Sequence, residues 1–142
     1  MTAAVGKRLI VAGVVLFLIG LLTGFVIPAF ENPRMGLSSH LEAVMNGAFL
    51  IALGAAWSFV RLSPGWEAAA YWLTIYGSFA NWAFVSLAAL FGTSEMTPIA
   101  GAGHSAPAVQ EQIVSLGLVS VGIAMLAAVG IILYGLLSAS DG

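Results

Sequence analysis

The sequence contains no cysteine and very little charge. Its 142 residues include only 4 Lys or Arg and 6 Asp or Glu. Without cysteine the chain has no disulfides, zinc–thiolate sites, iron–sulfur clusters or cysteine nucleophiles. With so few basic residues, it also lacks the positive surface that a nucleic-acid partner requires. Charged residues make up 7% of the chain, whereas soluble domains carry about 25%.

Hydrophobic residues replace the missing charge. They form 61% of the chain, and the mean hydropathy is +1.05. A small domain has too much surface to hide such a composition in a core, so the sequence predicts an integral membrane protein in a lipid bilayer. Because about 20 apolar residues cross the hydrocarbon layer, we expect an all-α fold, an antiparallel bundle of four transmembrane helices. We predict one membrane domain, residues 1–142, with helices at about 7–27, 39–62, 66–92 and 111–137.

The first apolar run could also be a signal peptide. It is longer than the usual apolar region of such a peptide, and no small-residue cleavage site follows Pro28. We therefore predict that it is a transmembrane helix. Lys7, Arg8 and Arg61 fall on one side of the predicted membrane and only Arg34 on the other. This bias predicts that both termini are cytoplasmic.

Small and polar residues indicate where the helices pack. Gly20 and Gly24 form a GxxxG pattern, and Gly47 and Gly54 share one face of the second helix, so both helices can approach a neighbour closely. The third helix carries a stripe at helical spacing, and lipid cannot satisfy its polar members, so this face should contact protein or a cavity. The stripe consists of Thr74, Ser78, Asn81, Val85 and Ala88.

The polar residues concentrate in one stretch, residues 32–47. Ser39 and Glu42 fit a capping box at the start of the second helix. Glu42 and Asn46 share one helix face because they are i and i+4, whereas His40 lies on another. One helix therefore cannot aim all three side chains at one point, and a second helix or a second subunit must complete any site.

An ionisable residue in a transmembrane segment is costly and is read first as functional. For His40 and Glu42 the structural alternative is capping and snorkelling at the interface. His40 is the only histidine at membrane depth, since His104 falls in the long loop, where we expect it to be solvated. A haem on His40 would keep an open sixth position, which favours substrate binding over electron relay. Gly47 would leave room for a flat macrocycle, with helix packing as the alternative.

The run Asn-Pro-Arg-Met-Gly-Leu-Ser-Ser-His-Leu-Glu-Ala-Val-Met-Asn-Gly at 32–47 resembles that of bacterial hydroxylaminobenzene mutases. These are four-helix membrane enzymes that convert hydroxylaminobenzene to 2-aminophenol. The organisation is also similar to that of the styrene oxide isomerases, which depend on haem b. The shared features are His-x5-Asn-Gly (His40, Asn46, Gly47) and an asparagine, Asn81, in a Gly/Ser-aromatic setting on the third helix.

The resemblance implies roles for several residues. His40 would be the axial ligand of haem b, Asn46 would lie near a small aromatic substrate, and Asn81 would line the same pocket. The haem would sit between subunits of a homotrimer, Gly47 would border it, and Arg34 would neutralise a haem propionate. The location would be the bacterial inner membrane.

The chain departs from the isomerase pattern on the third helix. That pattern has an aspartate and a tyrosine flanking the asparagine. Here the helix has no aspartate, Val85 stands where the tyrosine is expected, and Tyr76 is not in register. These differences favour the mutase reaction over epoxide isomerisation, which stays the alternative.

The implied mechanism is a redox-neutral, intramolecular hydroxyl transfer. Haem iron would act as a Lewis acid toward the hydroxylamine oxygen, and a closed pocket would exclude water. Ring contacts are predicted from aromatic side chains, for which core packing is the alternative, and Ser78 would share the pocket. The aromatic candidates are Phe49, Phe79, Trp82 and Phe84.

Two other function classes compete with an enzyme. A small proton-coupled exporter also has four short helices, but it needs an acid deep in its first helix, and the first helix here has none. A structural membrane subunit built on the small-residue faces is the second. A haem absorption band would support the enzyme.

Overall fold

The computed structural model describes residues 2–138, and all regular secondary structure within them is helical. Four of the helices are long and apolar enough to cross a membrane, which confirms the predicted all-α membrane fold. Short 3-10 turns at Ile27–Ala29 and Trp57–Phe59 end the first two. The α-helices are α1 (Thr2–Val26), α2 (Pro33–Ala56), α3 (Pro64–Phe91), α4 (Pro98–Gly101) and α5 (Ala108–Leu137). Met1 and residues 139–142, which the predicted domain also includes, lie outside this range.

Helix α2 begins earlier than the sequence predicted, at Pro33 rather than near residue 39. Asn32 is its N-cap, and the side chain of Asn32 accepts a hydrogen bond of 3.2 Å from the backbone N–H of Met35. Proline fits the first helical position because its missing N–H needs no partner there. The predicted capping box of Ser39 and Glu42 is wrong, since both residues lie inside the helix.

The other boundaries shift by smaller amounts. Helix α2 ends at Ala56 and is followed by a 3-10 turn and an extended segment, so the predicted end near residue 62 is too late. Helix α3 starts at Pro64, and Gly92 ends it in the left-handed conformation with φ 68°. The long loop after Gly92 holds the single turn α4.

The long helices pack in chain order: α1 on α2, α2 on α3, and α3 on α5. The predicted polar stripe of α3 faces the protein, as expected, because Thr74, Ser78 and Val85 are all buried. The main apolar core draws on all four long helices and on the turn after α2. Its buried members are Leu9, Leu16, Ala43, Leu50, Trp57, Val60, Ala70 and Ile132.

Glycines bring α1 and α2 into backbone contact. A Cβ on Gly13 would lie 2.6 Å from the carbonyl oxygen of Gly47, and one on Gly47 would lie 2.7 Å from the backbone nitrogen of Phe17. Gly6 and Gly54 meet in the same way further along, at 2.7 Å. We call this line of contacts the glycine seam. It confirms that Gly47 and Gly54 are helix-packing residues.

Polar side chains, in contrast, join α2 to α3. Three hydrogen bonds between side chains run the length of this antiparallel pair and fix how the two helices align. They are Ser39 Oγ with Ser86 Oγ (2.6 Å), Asn81 Nδ2 to Glu42 Oε2 (2.6 Å), and Trp57 Nε1 to Glu67 Oε1 (3.1 Å). By this alignment Asn46, one turn beyond Glu42, is level with Ser78, one turn before Asn81.

Two buried polar side chains hold the loop between α3 and α5. The carboxylate of Glu111 accepts hydrogen bonds of 3.0 to 3.2 Å from the backbone N–H groups of Ser94, Glu95 and Ala106. The amide of Asn32 donates to two carbonyl groups of the α4 turn, at 3.0 and 3.1 Å. The loop is therefore tied to the start of both α2 and α5.

Candidate active site

His40 lies between α1 and α2 with one ring nitrogen fixed. Its Nδ1 is 2.7 Å from the carbonyl oxygen of Gly20. A carbonyl oxygen only accepts hydrogen bonds, so Nδ1 carries a proton, and in the neutral tautomer the lone pair is then on Nε2. The missing side chain of Gly24 leaves room for the His40 ring, because a Cβ there would lie 3.1 Å from Nδ1. The GxxxG pattern of α1 thus seats the histidine.

This arrangement fits an axial haem ligand. Histidines that bind metals almost always donate the other ring N–H to a backbone carbonyl or carboxylate, which fixes the tautomer and the ring. Within residues 2–138, no three or more His, Asp or Glu side chains come together as a metal site. A haem supplies its own nitrogen ligands and needs only one such side chain from the chain.

Gly47 does not border an open space. The direction of its missing side chain is filled by α1, with the Gly13 carbonyl oxygen at 2.8 Å and the Phe17 Cα at 2.9 Å. The direction that a side chain of Gly47 would take is therefore used for helix packing, the alternative to making room for a macrocycle.

Asn46 and Ser78 bring unused hydrogen-bonding groups to the α2–α3 interface. The Asn46 Nδ2 and the Ser78 Oγ are both buried, and neither has a hydrogen-bond partner among residues 2–138. Leaving such a group unpaired costs about 1–3 kcal/mol. A buried donor and hydroxyl at one level of a membrane protein are therefore suited to bind a polar ligand group.

Glu42 and Asn81 lie one helical turn away from Asn46 and Ser78 along the α2–α3 interface. Asn81 Nδ2 donates to Glu42 Oε2 at 2.6 Å, and both residues are half-buried. The sequence showed that Glu42 shares a face with Asn46, but the assignment of Glu42 to a capping box hid its bond to α3. His40 contacts α1 instead, which confirms that the polar stretch divides between two helix faces.

The predicted aromatic contacts are not brought together as one group. Phe79 and Trp82 pack against the main core, and the Trp82 Nε1 donates to Thr23 Oγ1 of α1 at 3.1 Å. Phe84 lies on the other side of α3, where its ring covers Gly117 of α5. Phe49 is half-buried.

Arg34 lies on the surface, in the first turn of α2. With Ser38 and residues 96–100 it lines a cavity of about 430 Å³ at the loop end of the molecule. His104 belongs to the same loop, and its Nδ1 is 3.0 Å from the carbonyl oxygen of Gly101.

At position 85 of the third helix, where the isomerase pattern has a tyrosine, the side chain of Val85 has no hydroxyl. Val85 is 6% exposed and packs in an apolar cluster with Met35 and Val114. The Tyr76 hydroxyl is bonded to Ser120 of α5 at 2.6 Å. The only tyrosine close to Asn81 in the sequence is therefore directed to α5, as its register predicted.

Comparison with known proteins identifies the family. Residues 5–137 match the styrene oxide isomerase family. The chain is 46% identical to hydroxylaminobenzene mutase HabB of Ectopseudomonas oleovorans over 138 residues, which covers 96% of this chain and 84% of HabB. It is 44% identical to hydroxylaminobenzene mutase HabA of the same organism over 130 residues, covering 91% of this chain and 96% of HabA. No solved structure matches the chain significantly. The chain belongs to the styrene oxide isomerase family and is an isomerase.

Proposed function

We propose that this family member rearranges hydroxylaminobenzene to 2-aminophenol. Its similarity to two hydroxylaminobenzene mutases supports this reaction. The observation that carries it is the polar group between α2 and α3. Asn46 there holds a buried N–H donor without a partner, and Asn81 is held by Glu42.

We infer that haem b binds to Nε2 of His40. The Gly20 carbonyl and the space over Gly24 hold the ring for this role. When bound, the haem iron would supply a Lewis acid for the hydroxylamine oxygen. Arg34 is the exposed cation at the same end of α2 and would pair with a propionate.

The protein groups have distinct tasks in this reaction. The N–O bond breaks, a C–O bond forms at the ortho carbon, and the ortho proton is transferred so that the amine is restored and the composition is unchanged. Asn46 Nδ2 would donate to the oxygen during its migration. Burial at the level of Asn46 and Ser78 would exclude water, which otherwise attacks the electron-poor aromatic ring as the N–O bond breaks.

A second subunit would complete the site, and we infer a homotrimer. Between the face of α2 that contacts α1 and the one that contacts α3 lies an exposed apolar face. It includes Leu37, Leu41 and Met45, which are 47%, 46% and 56% exposed. His40 borders this face, so a neighbouring subunit packed on it would enclose a haem bound to His40. The whole chain would form one domain in the inner membrane, with both termini cytoplasmic.

Epoxide isomerisation is the second candidate, because the family is named for styrene oxide isomerase. The apolar surroundings of Val85 and the bond of Tyr76 to α5 disfavour it, since no tyrosine hydroxyl is thereby directed to Asn81.

The test compares the wild type with His40→Ala, each purified in detergent. We expect the wild type to show a haem absorption band and to form 2-aminophenol, and His40→Ala to lose both while keeping its helical circular dichroism. His104→Ala is the matched control and should keep both properties. A His40→Ala protein that retains haem absorbance and activity would refute the proposal.

Reaction in ¹⁸O-labelled water tests the intramolecular step. We expect 2-aminophenol without label from the wild type. Complete incorporation of label would show that solvent, rather than the substrate, supplies the oxygen.

A further inference from the structure

Glu42 is a carboxyl group within a membrane-spanning helix, and the reaction above assigns it no role beyond its bond to Asn81. Glu42 does not have its predicted capping role, since α2 begins at Pro33 and is capped by Asn32. Its side chain instead contacts Asn81 of α3 through a hydrogen bond of 2.6 Å. An acidic group at this depth is costly to keep, and its usual explanation is functional.

The bond determines which way the Asn81 amide faces. The oxygen of the Glu42 carboxylate accepts, so the amide must turn its Nδ2 toward Glu42. The Oδ1 of Asn81 is then at the other edge of the amide group from the atom that bonds Glu42, and it remains free to accept. Without Glu42, the amide could rotate and offer either its oxygen or its nitrogen.

We propose that Glu42 is a positioning residue that makes Asn81 an obligate hydrogen-bond acceptor, and so selects aromatic substrates that carry an N–H donor. The inference rests on the proposed function, because it assigns the substrate class of the same site. A hydroxylamine group has an N–H for Asn81 Oδ1 and an oxygen for the unpartnered Asn46 Nδ2. Both protein groups are then paired.

An epoxide satisfies only half of this arrangement. Its oxygen can accept from Asn46 Nδ2, but it has no donor for Asn81 Oδ1. A protein acceptor that a bound ligand covers without pairing lowers the affinity for that ligand. The Glu42–Asn81 bond thus gives a physical reason why this member would favour hydroxylamines over epoxides.

The binding test uses N-methoxyaniline and benzyl methyl ether, which have the same shape. Both carry an ether oxygen for Asn46 Nδ2, but only the first carries an N–H donor for Asn81 Oδ1. Their Kd values are measured for the purified protein by quenching of tryptophan fluorescence. We expect the wild type to prefer N-methoxyaniline by about tenfold, the upper end of what one hydrogen bond contributes.

The variants separate positioning from stability. Glu42→Leu should bring the two Kd values to within about twofold of each other, because the Asn81 amide can then rotate to donate. Glu42→Gln keeps an acceptor oxygen and should retain most of the preference. Glu67→Leu is the matched control, because Glu67 of α3 makes a similar carboxylate bond, to Trp57 in the 3-10 turn after α2. It should keep the tenfold preference.

A folded Glu42→Leu protein with the wild-type preference would overturn the inference, as would an equal loss in Glu67→Leu. Should Glu42→Leu fail to fold, Asn81→Ala replaces it, since loss of the acceptor must abolish the preference in the same way. Ratios of kcat/KM for hydroxylaminobenzene and styrene oxide should shift toward the epoxide in Glu42→Leu.

The two proposals can fail separately. If the wild type does not rearrange hydroxylaminobenzene while Glu42→Leu still abolishes the binding preference, the proposed function is wrong and the role of Glu42 holds. If rearrangement occurs but the preference does not depend on Glu42, only the role of Glu42 is wrong.

Discussion

Adding one methyl group to the glycine seam should separate α1 from α2. In Gly13→Ala the new Cβ would lie 2.6 Å from the Gly47 carbonyl oxygen and 2.8 Å from the backbone nitrogen of Ile51. Both atoms belong to the backbone of α2, so no side-chain rotation relieves the contact. The helices must move apart by roughly 0.8 Å to regain ordinary contact distance.

The cost follows from that displacement. Overpacking of a close interface costs about 1–3 kcal/mol, and a gap of this size forfeits about a quarter to a half of each neighbouring dispersion contact. Alanine regains up to about 1 kcal/mol in helix propensity. We expect a net loss of about 2 kcal/mol in the free energy of unfolding.

Gly122→Ala is the matched control, because a Cβ at Gly122 meets nothing within 4 Å. It should be neutral or stabilising by up to about 1 kcal/mol. The free energy of unfolding is measured in mixed detergent micelles by titration with SDS and tryptophan fluorescence. Equal stability of Gly13→Ala and Gly122→Ala would refute the packing argument. With the proposed haem bound, a shift of its absorption band in Gly13→Ala would also report movement of the Gly20 carbonyl that contacts His40.

Two further predictions concern the loop end of the molecule. Asn32→Ala removes the N-cap acceptor for Met35 and both donors to the α4 turn, so we expect a loss of about 2–3 kcal/mol in thermal or SDS unfolding. Asn32→Asp, which keeps only the cap, should recover part of that loss, and no difference between the two variants would contradict the role of the cap. Glu111→Gln replaces one carboxylate oxygen with a donor facing backbone N–H groups, so proteases should cleave within residues 94–106 faster. Glu95 is exposed, so Glu95→Gln should leave the cleavage rate unchanged. Equal cleavage rates in the two variants would contradict the role of the Glu111 carboxylate in holding the loop.

Hydropathy made the four transmembrane helices predictable, because about 20 apolar residues in a row have few alternatives in a chain with so little charge. The start of α2 was not predictable from the same signal. Pro33 and Arg34 look like loop residues by composition, yet Asn32 caps the helix and Pro33 suits its first position. By sequence, Ser39 was a plausible N-cap. In the structure it lies inside α2, and its hydroxyl forms a hydrogen bond with the hydroxyl of Ser86.

The site was predictable only as far as one helix allows. Helical spacing separated His40 from Glu42 and Asn46, and the structure confirms that division. Spacing could not reveal which atom of another helix each side chain meets, because that depends on how α2 aligns with α1 and α3. Gly47 illustrates the limit: its small size indicates a close approach, but a ligand and a helix are equally good occupants until the partner is known.

The division between the seam and the polar interface has a consequence for biosynthesis. The outer helices α1 and α5 are much more hydrophobic than α2 and α3, so each can partition into lipid by itself. Helices α2 and α3 carry the polar groups and gain from a partner during insertion. The short turn after α1 places α2 directly against its seam partner. We therefore expect α2 to enter the bilayer as a hairpin with α1, and the polar contacts that align Glu42 with Asn81 to form when α3 joins this pair.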